Sequence, residues 1–298
     1  MINKFGKIIA LLASTFLFWG MYGHFSVTFA QSETLESKVL KKSINYSIHL
    51  PVGYYSSEKT YYPVLYLLHG FSGDETNWTE LGNAKLIADS LVALQKIEPF
   101  IIVMPDGMNS YYINDYKNIT PYEDFFIKEL LPYIENKYRI IRDDEERAIC
   151  GNSMGGYGAI ILTVKYPDIF STCISLSPAV RNAEIFAKMK QAKYENNFAH
   201  LFGSGLNENK RITSHWKSNS PYYLIDNNLA DNLNEVNWYI SCGLQDFLLP
   251  AAEAFHTLLT QYNIDHEYVT KPGNHDWDYW QESLEGGLLY WGTILKKE

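Results

Sequence analysis

The chain has few cysteines, no excess of positive charge and one N-terminal apolar run that is short for a bilayer span. Its three cysteines in 298 residues, Cys150, Cys173 and Cys242, each lie in or at the end of an apolar, strand-like run. An odd number at such positions reads as buried free thiols, not a disulfide framework or a metal site. Spacing leaves open whether any two of them pair. Acids outnumber bases by 34 to 25, for a net charge of −9. With no basic run, the chain suits neither nucleic acid nor an anionic membrane surface. Internal repeats and low-complexity linkers are also missing. Hydrophobic residues make up 46% and charged ones 20%, a balance that buries one substantial core in a chain of this length.

The first 30 residues stand apart from that core. Lys4 and Lys7 precede the apolar run 8–19, and the small-residue site Thr28-Phe29-Ala30 comes before Gln31. This is the order of a secretory signal peptide, with cleavage expected after Ala30 and a secreted or periplasmic product. An uncleaved anchor needs about 20 apolar residues, and no cysteine is placed for lipidation. Loss of residues 1–30 removes two lysines and no acids, so the mature charge is −9 − 2 = −11.

Beyond the leader the pattern alternates strands and helices. Residues 37–54 carry apolar side chains at Val39, Ile44, Tyr46, Ile48 and Leu50 with polar ones between, as half-buried antiparallel strands do. Continuous apolar runs at 62–68, 100–104, 147–151, 170–176 and 236–242 read as strands buried on both faces. Helical segments are expected at 83–94, 122–138 (which Pro132 should kink or divide) and 250–262, with a last strand at 266–270. This succession predicts a mostly parallel central sheet with helices on both faces. Residues 180–234 break the rhythm. They are polar and rich in Asn and Lys, and read as an insertion or small cap within a single 31–298 domain.

The chemistry concentrates at Gly151-Asn152-Ser153-Met154-Gly155, an apolar run ending in a Gly-x-Ser-x-Gly turn that leads into a small-residue helix. A serine at such a corner projects its Oγ into a site, and flanking glycines relieve the crowding there. The following helix aims its N–H groups and positive dipole end at the same point. An acid and a base should follow on loops after later strands, in that order. Asp246 follows Gly243-Leu244-Gln245, and His275 follows Lys271-Pro272-Gly273-Asn274. Imidazole can accept the serine proton, and a carboxylate can fix its tautomer. Asp276 and Asp278 compete for the acid role but sit too near His275 in the chain. The backbone N–H groups of Phe71 and Met154 are the expected oxyanion donors, and His69 is expected to be structural. Trp78, Asn109, Tyr111, Tyr112 and Asn114 lie on loops after strands, the edge where ligands bind, and are candidates for contact with a sugar or a phenolic acyl group. Trp277 and Trp280 are expected to pack the last helix, and Trp216 to line or anchor the cap. No metal or organic cofactor is implied.

Together, Tyr-Leu-Leu-His-Gly-Phe-Ser-Gly (66–73), Val-Met-Pro-Asp-Gly (103–107), Gly-Asn-Ser-Met-Gly-Gly-Tyr-Gly (151–158), Cys-Gly-Leu-Gln-Asp (242–246) and Gly-Asn-His-Asp-Trp (273–277) resemble the esterase D family of α/β-hydrolases. The resemblance spans roughly 45–290. That family includes feruloyl and acetylxylan esterases of carbohydrate esterase family 1, tributyrin-type esterases, S-formylglutathione hydrolases and mycolyltransferases. It implies Ser153, Asp246 and His275 as a triad, with Phe71 and Met154 as oxyanion donors. It also implies a small-molecule or oligosaccharide ester as substrate. An exported chain fits the cytosolic formylglutathione hydrolases poorly. Nothing in the sequence selects acetyl over feruloyl, hydrolysis over acyl transfer, or an oligomeric state. A catalytically silent carbohydrate-binding member of the fold is the alternative of a different class.

Overall fold

The computed structural model describes residues 31–227 and 232–296. The expected leader, 1–30, lies outside the described residues. Among the described residues there are eight strands: β1 (Gln31–Ser37), β2 (Lys42–His49), β3 (Val64–Leu68), β4 (Ile101–Pro105), β5 (Arg147–Asn152), β6 (Thr172–Leu176), β7 (Asn237–Gly243) and β8 (Glu267–Lys271). They form one sheet in the order β1-β2-β4-β3-β5-β6-β7-β8. Strands β3 to β8 run parallel, while β1 and β2 form an antiparallel hairpin at one edge. This is the α/β-hydrolase architecture.

The central strands are where they are because both of their faces are apolar. Every residue of β3, β4, β5 and β6 is buried. Successive side chains alternate between faces. Leu65 and Leu67 join a core with Ala88, Leu91 and Trp291 from the helices Ala84–Ala93 and Trp277–Leu295. Val64, Tyr66 and Leu68 join the opposite core with Phe126, Ile160 and Phe255, from helical segments within 122–137, Met154–Lys165 and Leu249–Gln261. Asp89 ties β2 to its neighbouring helix, with His49 Nε2 2.9 Å from its Oδ1. Among the described residues no helix is long and apolar enough to cross a membrane.

One local expectation needs correction, and one takes a particular form. The first strand begins at Gln31, before residue 37, and Val39 sits in the turn between β1 and β2, not in a strand. As expected, the helix at 122–138 is interrupted near Pro132. A mid-helix proline clashes with the carbonyl four residues earlier, and here a π turn at Phe126–Leu130 immediately precedes it. The widened turn absorbs the ring, and helical geometry resumes at Leu131–Lys137.

The described part of the 180–234 insertion is ordered by aromatic rings and one buried cation. Phe186 packs against Tyr194, Phe198, Phe202 and Trp216 with ring centroids 5.4–5.8 Å apart. Arg211, only 2% exposed, donates to the carbonyls of Phe186, Ala187 and Met189 and to Gln191 Oε1, over the face of Tyr194. Those carbonyls close the short helix Ala183–Ala187, whose C-terminal end favours a positive charge. The insertion joins the body through Asn219: its carbonyl accepts from Tyr157, and its Oδ1 accepts from Lys165, which also pairs with Glu123. Arg211→Ala leaves several buried carbonyls without donors and should lower stability by about 3 kcal/mol. Thermal unfolding reads this, and a change within experimental error would show that the guanidinium does not organise the insertion.

Candidate active site

The site is built where β5 turns into the helix Met154–Lys165. Ser153 occupies the corner with φ 55° and ψ −109°, a conformation that costs about 1–3 kcal/mol unless its surroundings enforce it. They do so here through backbone contacts. Ser153 N–H donates to Leu176 O at 2.8 Å, and Ala179 N–H donates to Ser153 O at 2.9 Å. Gly151 and Gly155 let the strand, the turn and β3 come together. A Cβ on Gly151 would lie 2.4 Å from the Gly155 carbonyl, and one on Gly155 would lie 2.3 Å from Leu68 O.

From this corner a hydrogen-bonded chain runs to Asp246. Ser153 Oγ lies 2.9 Å from His275 Nε2, and His275 Nδ1 lies 2.8 Å from Asp246 Oδ2. The second carboxylate oxygen accepts from Leu248 N–H at 2.7 Å. Burial on its own pushes the Asp246 carboxyl up. Hydrogen bonds from His275, the Leu248 N–H and Ser177 outweigh it, so the group lies below the ordinary carboxylate value. The His275 ring is held between Phe247 and Trp280, at 4.5 and 4.9 Å between centroids. Trp280 Nε1 in turn donates to Ser177 Oγ. The loops carrying acid and base are clamped together. Gln245 N–H donates to Gly273 O, Gly273 N–H donates to Gln245 Oε1, and a Cβ on Gly243 would meet Gly273 O at 2.3 Å. Asp276 is occupied elsewhere, capping the helix Trp277–Leu295 through Tyr279 N–H.

The turn 69–73 faces this chain. A Cβ on Gly70 would sit 3.6 Å from Ser153 Cβ. Met154 is buried as the first residue of its helix, and Phe71 lines the cavity at the opposite wall. His69 holds the turn from behind. Its Nε2 accepts from Gly107 N–H at 2.7 Å, its Nδ1 lies 2.7 Å from Gly70 O, and its carbonyl accepts from Tyr112 OH. Ser72 N–H donates to Asn109 Oδ1 at 2.7 Å.

The cavity in front of Ser153 measures about 350 Å³ and is lined by Phe71, Tyr111, Arg181, Phe247 and Trp277, among others. Of the five expected substrate contacts, the structure brings Tyr111 alone to this wall. Trp78 is 1% exposed and donates its indole N–H to Leu68 O, so it is a core residue. Tyr112 is fully buried behind His69. Asn114 accepts from Asp124 N–H, away from Ser153. Asn109 braces the 69–73 turn and lines a separate cavity of about 600 Å³ formed with Tyr116 and His200. Conversely, Trp277 and Trp280 do more than pack a helix, since both line the cavity. Sequence reasoning also missed Arg181, Lys193 and Phe247. Arg181 was findable, because it follows the carboxyl end of β6, the sheet edge where sites form.

All three cysteines are buried and free. Burial lifts the Cys173 and Cys242 thiols to about 12, and Cys150 well above its ordinary value. Among the described residues no group of three or more His, Cys, Asp or Glu is placed to hold a metal ion. Two outcomes follow. The native protein should leave its thiols unmodified by a thiol-disulfide reagent, while the denatured protein should titrate three; fast native labelling would contradict the burial. Because the Asp246 carboxyl lies below its ordinary 3.8, its pairing adds stability above that pH and loses it as pH falls through the folded value. The Tm of Asp246→Asn should therefore fall less steeply than wild type below about pH 4. Parallel curves would sink this assignment.

Known proteins resemble this chain over most of its length. The Esterase family model, described as "Putative esterase", matches residues 37–291. An acetyl esterase of Caldicellulosiruptor saccharolyticus is 28% identical over 271 residues, covering 87% of this chain and 96% of the relative. An endo-1,4-beta-xylanase/feruloyl esterase of Xylanibacter ruminicola is 34% identical over 174 residues, 55% of this chain. The match spans only 23% of that larger protein. A solved ferulic acid esterase superposes with a TM-score of 0.73 at 31% identity, covering 89% of this chain and 98% of its own.

Proposed function

The chain belongs to the Esterase family, the esterase D-like group of α/β-hydrolases that also holds the carbohydrate esterase family 1 enzymes, and on that premise we propose that it is a serine carboxylesterase acting on acyl esters of carbohydrates. The family supports carboxylic-ester hydrolysis as the reaction. The feruloyl and acetyl esterases among its relatives support a feruloyl or acetyl group as the acyl part. The observation that carries the mechanism is the unbroken chain Ser153–His275–Asp246 at 2.9 and 2.8 Å.

In this reading His275 Nε2 takes the Ser153 proton as Oγ attacks the ester carbonyl. Asp246 keeps the histidine proton on Nδ1 and stabilises the imidazolium. The tetrahedral oxyanion rests on the N–H groups of Phe71 and Met154, at the positive end of the Met154–Lys165 helix. His275 then protonates the leaving alcohol, and water attacks the acyl-Ser153 by the same steps in reverse. We also infer that residues 1–30 direct export.

The test is an ester panel: 4-nitrophenyl acetate and butyrate, methyl ferulate, acetylated xylan and an S-acyl thioester. Preference for methyl ferulate or acetylated xylan is the expected result, and activity confined to short 4-nitrophenyl esters would withdraw the carbohydrate part. Ser153→Ala should reduce kcat by about 10⁵–10⁶-fold without loss of fold. Substantial residual turnover would remove Ser153 from the mechanism.

A further inference from the structure

The cavity in front of Ser153 holds two cations, and among the described residues no carboxylate lines its wall. Arg181, half-buried, comes from the loop after β6. Lys193, from the helix Gln191–Asn197, stands at the solvent rim. Three neutral contacts hold the guanidinium. One Nη donates to Ala179 O at 2.7 Å, Phe198 lies 5.0 Å below it, and the Tyr111 hydroxyl is within reach. Ala179 is itself bonded to Ser153 O, so the guanidinium is positioned relative to the nucleophile by two short links. With five N–H donors, it retains donors for something else.

Among the described residues neither Arg181 nor Lys193 forms an ion pair with an acid. Two other cations below the surface are treated differently: Arg147 pairs with Glu135 and Lys165 with Glu123, while Arg211 spends its donors on backbone carbonyls and Gln191 and faces no cavity beside Ser153. This occurs in a chain with 34 acids to 25 bases, where a partner carboxylate would be easy to supply. Partial burial, and after it the charge of Arg181, hold the Lys193 ammonium below its ordinary value. The two charges therefore repel across the cavity. A neutral ester leaves that repulsion in place, and an anion relieves it.

We propose that Arg181 and Lys193 form an anion subsite beside Ser153, and that the preferred ester carries a carboxylate. This rests on the esterase reading of Ser153. The carboxylate belongs either to the alcohol, as in an acetylated uronate of an acidic glycan, or to the acyl group, as in the half-ester of a dicarboxylic acid. Arg181 grips it through charge-assisted hydrogen bonds from a fixed guanidinium. Lys193 adds a screened attraction at the entrance.

The experiment measures kcat/KM of the purified protein on two matched pairs at low salt. One pair is mono-4-nitrophenyl succinate and its methyl ester, and the other is O-acetyl methyl galacturonoside and O-acetyl methyl galactoside. At least one acidic member should be preferred by about tenfold, with the preference carried mainly by KM and shrinking as salt rises. The pair that shows it identifies the side bearing the carboxylate. Lys193→Gln should lower the acidic-to-neutral ratio about threefold and Arg181→Gln about tenfold, with Arg181→Lys retaining part of it. If Arg181→Gln fails to fold, the rim variant Lys193→Gln carries the test. Equal rates within both pairs, or ratios unchanged in the variants, overturn the subsite while hydrolysis of 4-nitrophenyl acetate leaves the esterase reading standing. Failure to hydrolyse any ester overturns both.

Discussion

The close approach of three backbone segments at Gly151, Gly155 and Leu68 is the constraint on which the site depends. Only when β5, the first turn of its helix and the end of β3 meet without side chains between them can Ser153 be held at φ 55°. That corner fixes where Oγ points. It also brings the 69–73 turn against the serine from the other side, so the wall facing the nucleophile is set by the same packing. The buried sheet supplies the rigidity. Four central strands without an exposed residue leave the corner little room to relax.

Much of this was legible in the sequence because burial on both faces writes itself as continuous apolar runs. The runs at 62–68, 100–104 and 147–151 correspond to β3, β4 and β5 with bounds shifted by a residue or two. Ser153, Asp246 and His275 were legible because strand, turn and helix signals surround each, and the fold brings them within hydrogen-bond distance. Trp78 and Tyr112 were misread for a physical reason. An aromatic on a loop after a strand looks the same in sequence whether it turns outward to a ligand or inward beneath the loop. Both turn inward and spend their polar atoms on the carbonyls of Leu68 and His69. Pro132 was legible as a point of interruption, but the π turn that carries it leaves no pattern of its own in the chain.

The insertion was opaque for another reason. Its helices are four to seven residues long, too short to show an amphipathic period. Its order comes from long-range contacts instead: a ring cluster about Phe186, and Arg211 gathering carbonyls from one short helix and its exit. Lys193 reaches the cavity only because that unit is folded against the sheet edge, and no spacing rule links 193 to 153.

The interlocked glycine turns at 243 and 273 make the acid loop and the base loop a single mechanical part. They share a backbone contact with no room for a methyl group, and Gln245 bridges them in both directions. For a lineage of such chains, the segments from β7 and β8 must change together or not at all. Exchange of one loop between relatives, with a crossover anywhere between 243 and 273, would pair two turns shaped for different partners. Surfaces clear of this joint, the 180–234 insertion and the rim residues Phe71 and Tyr111, are free of that constraint.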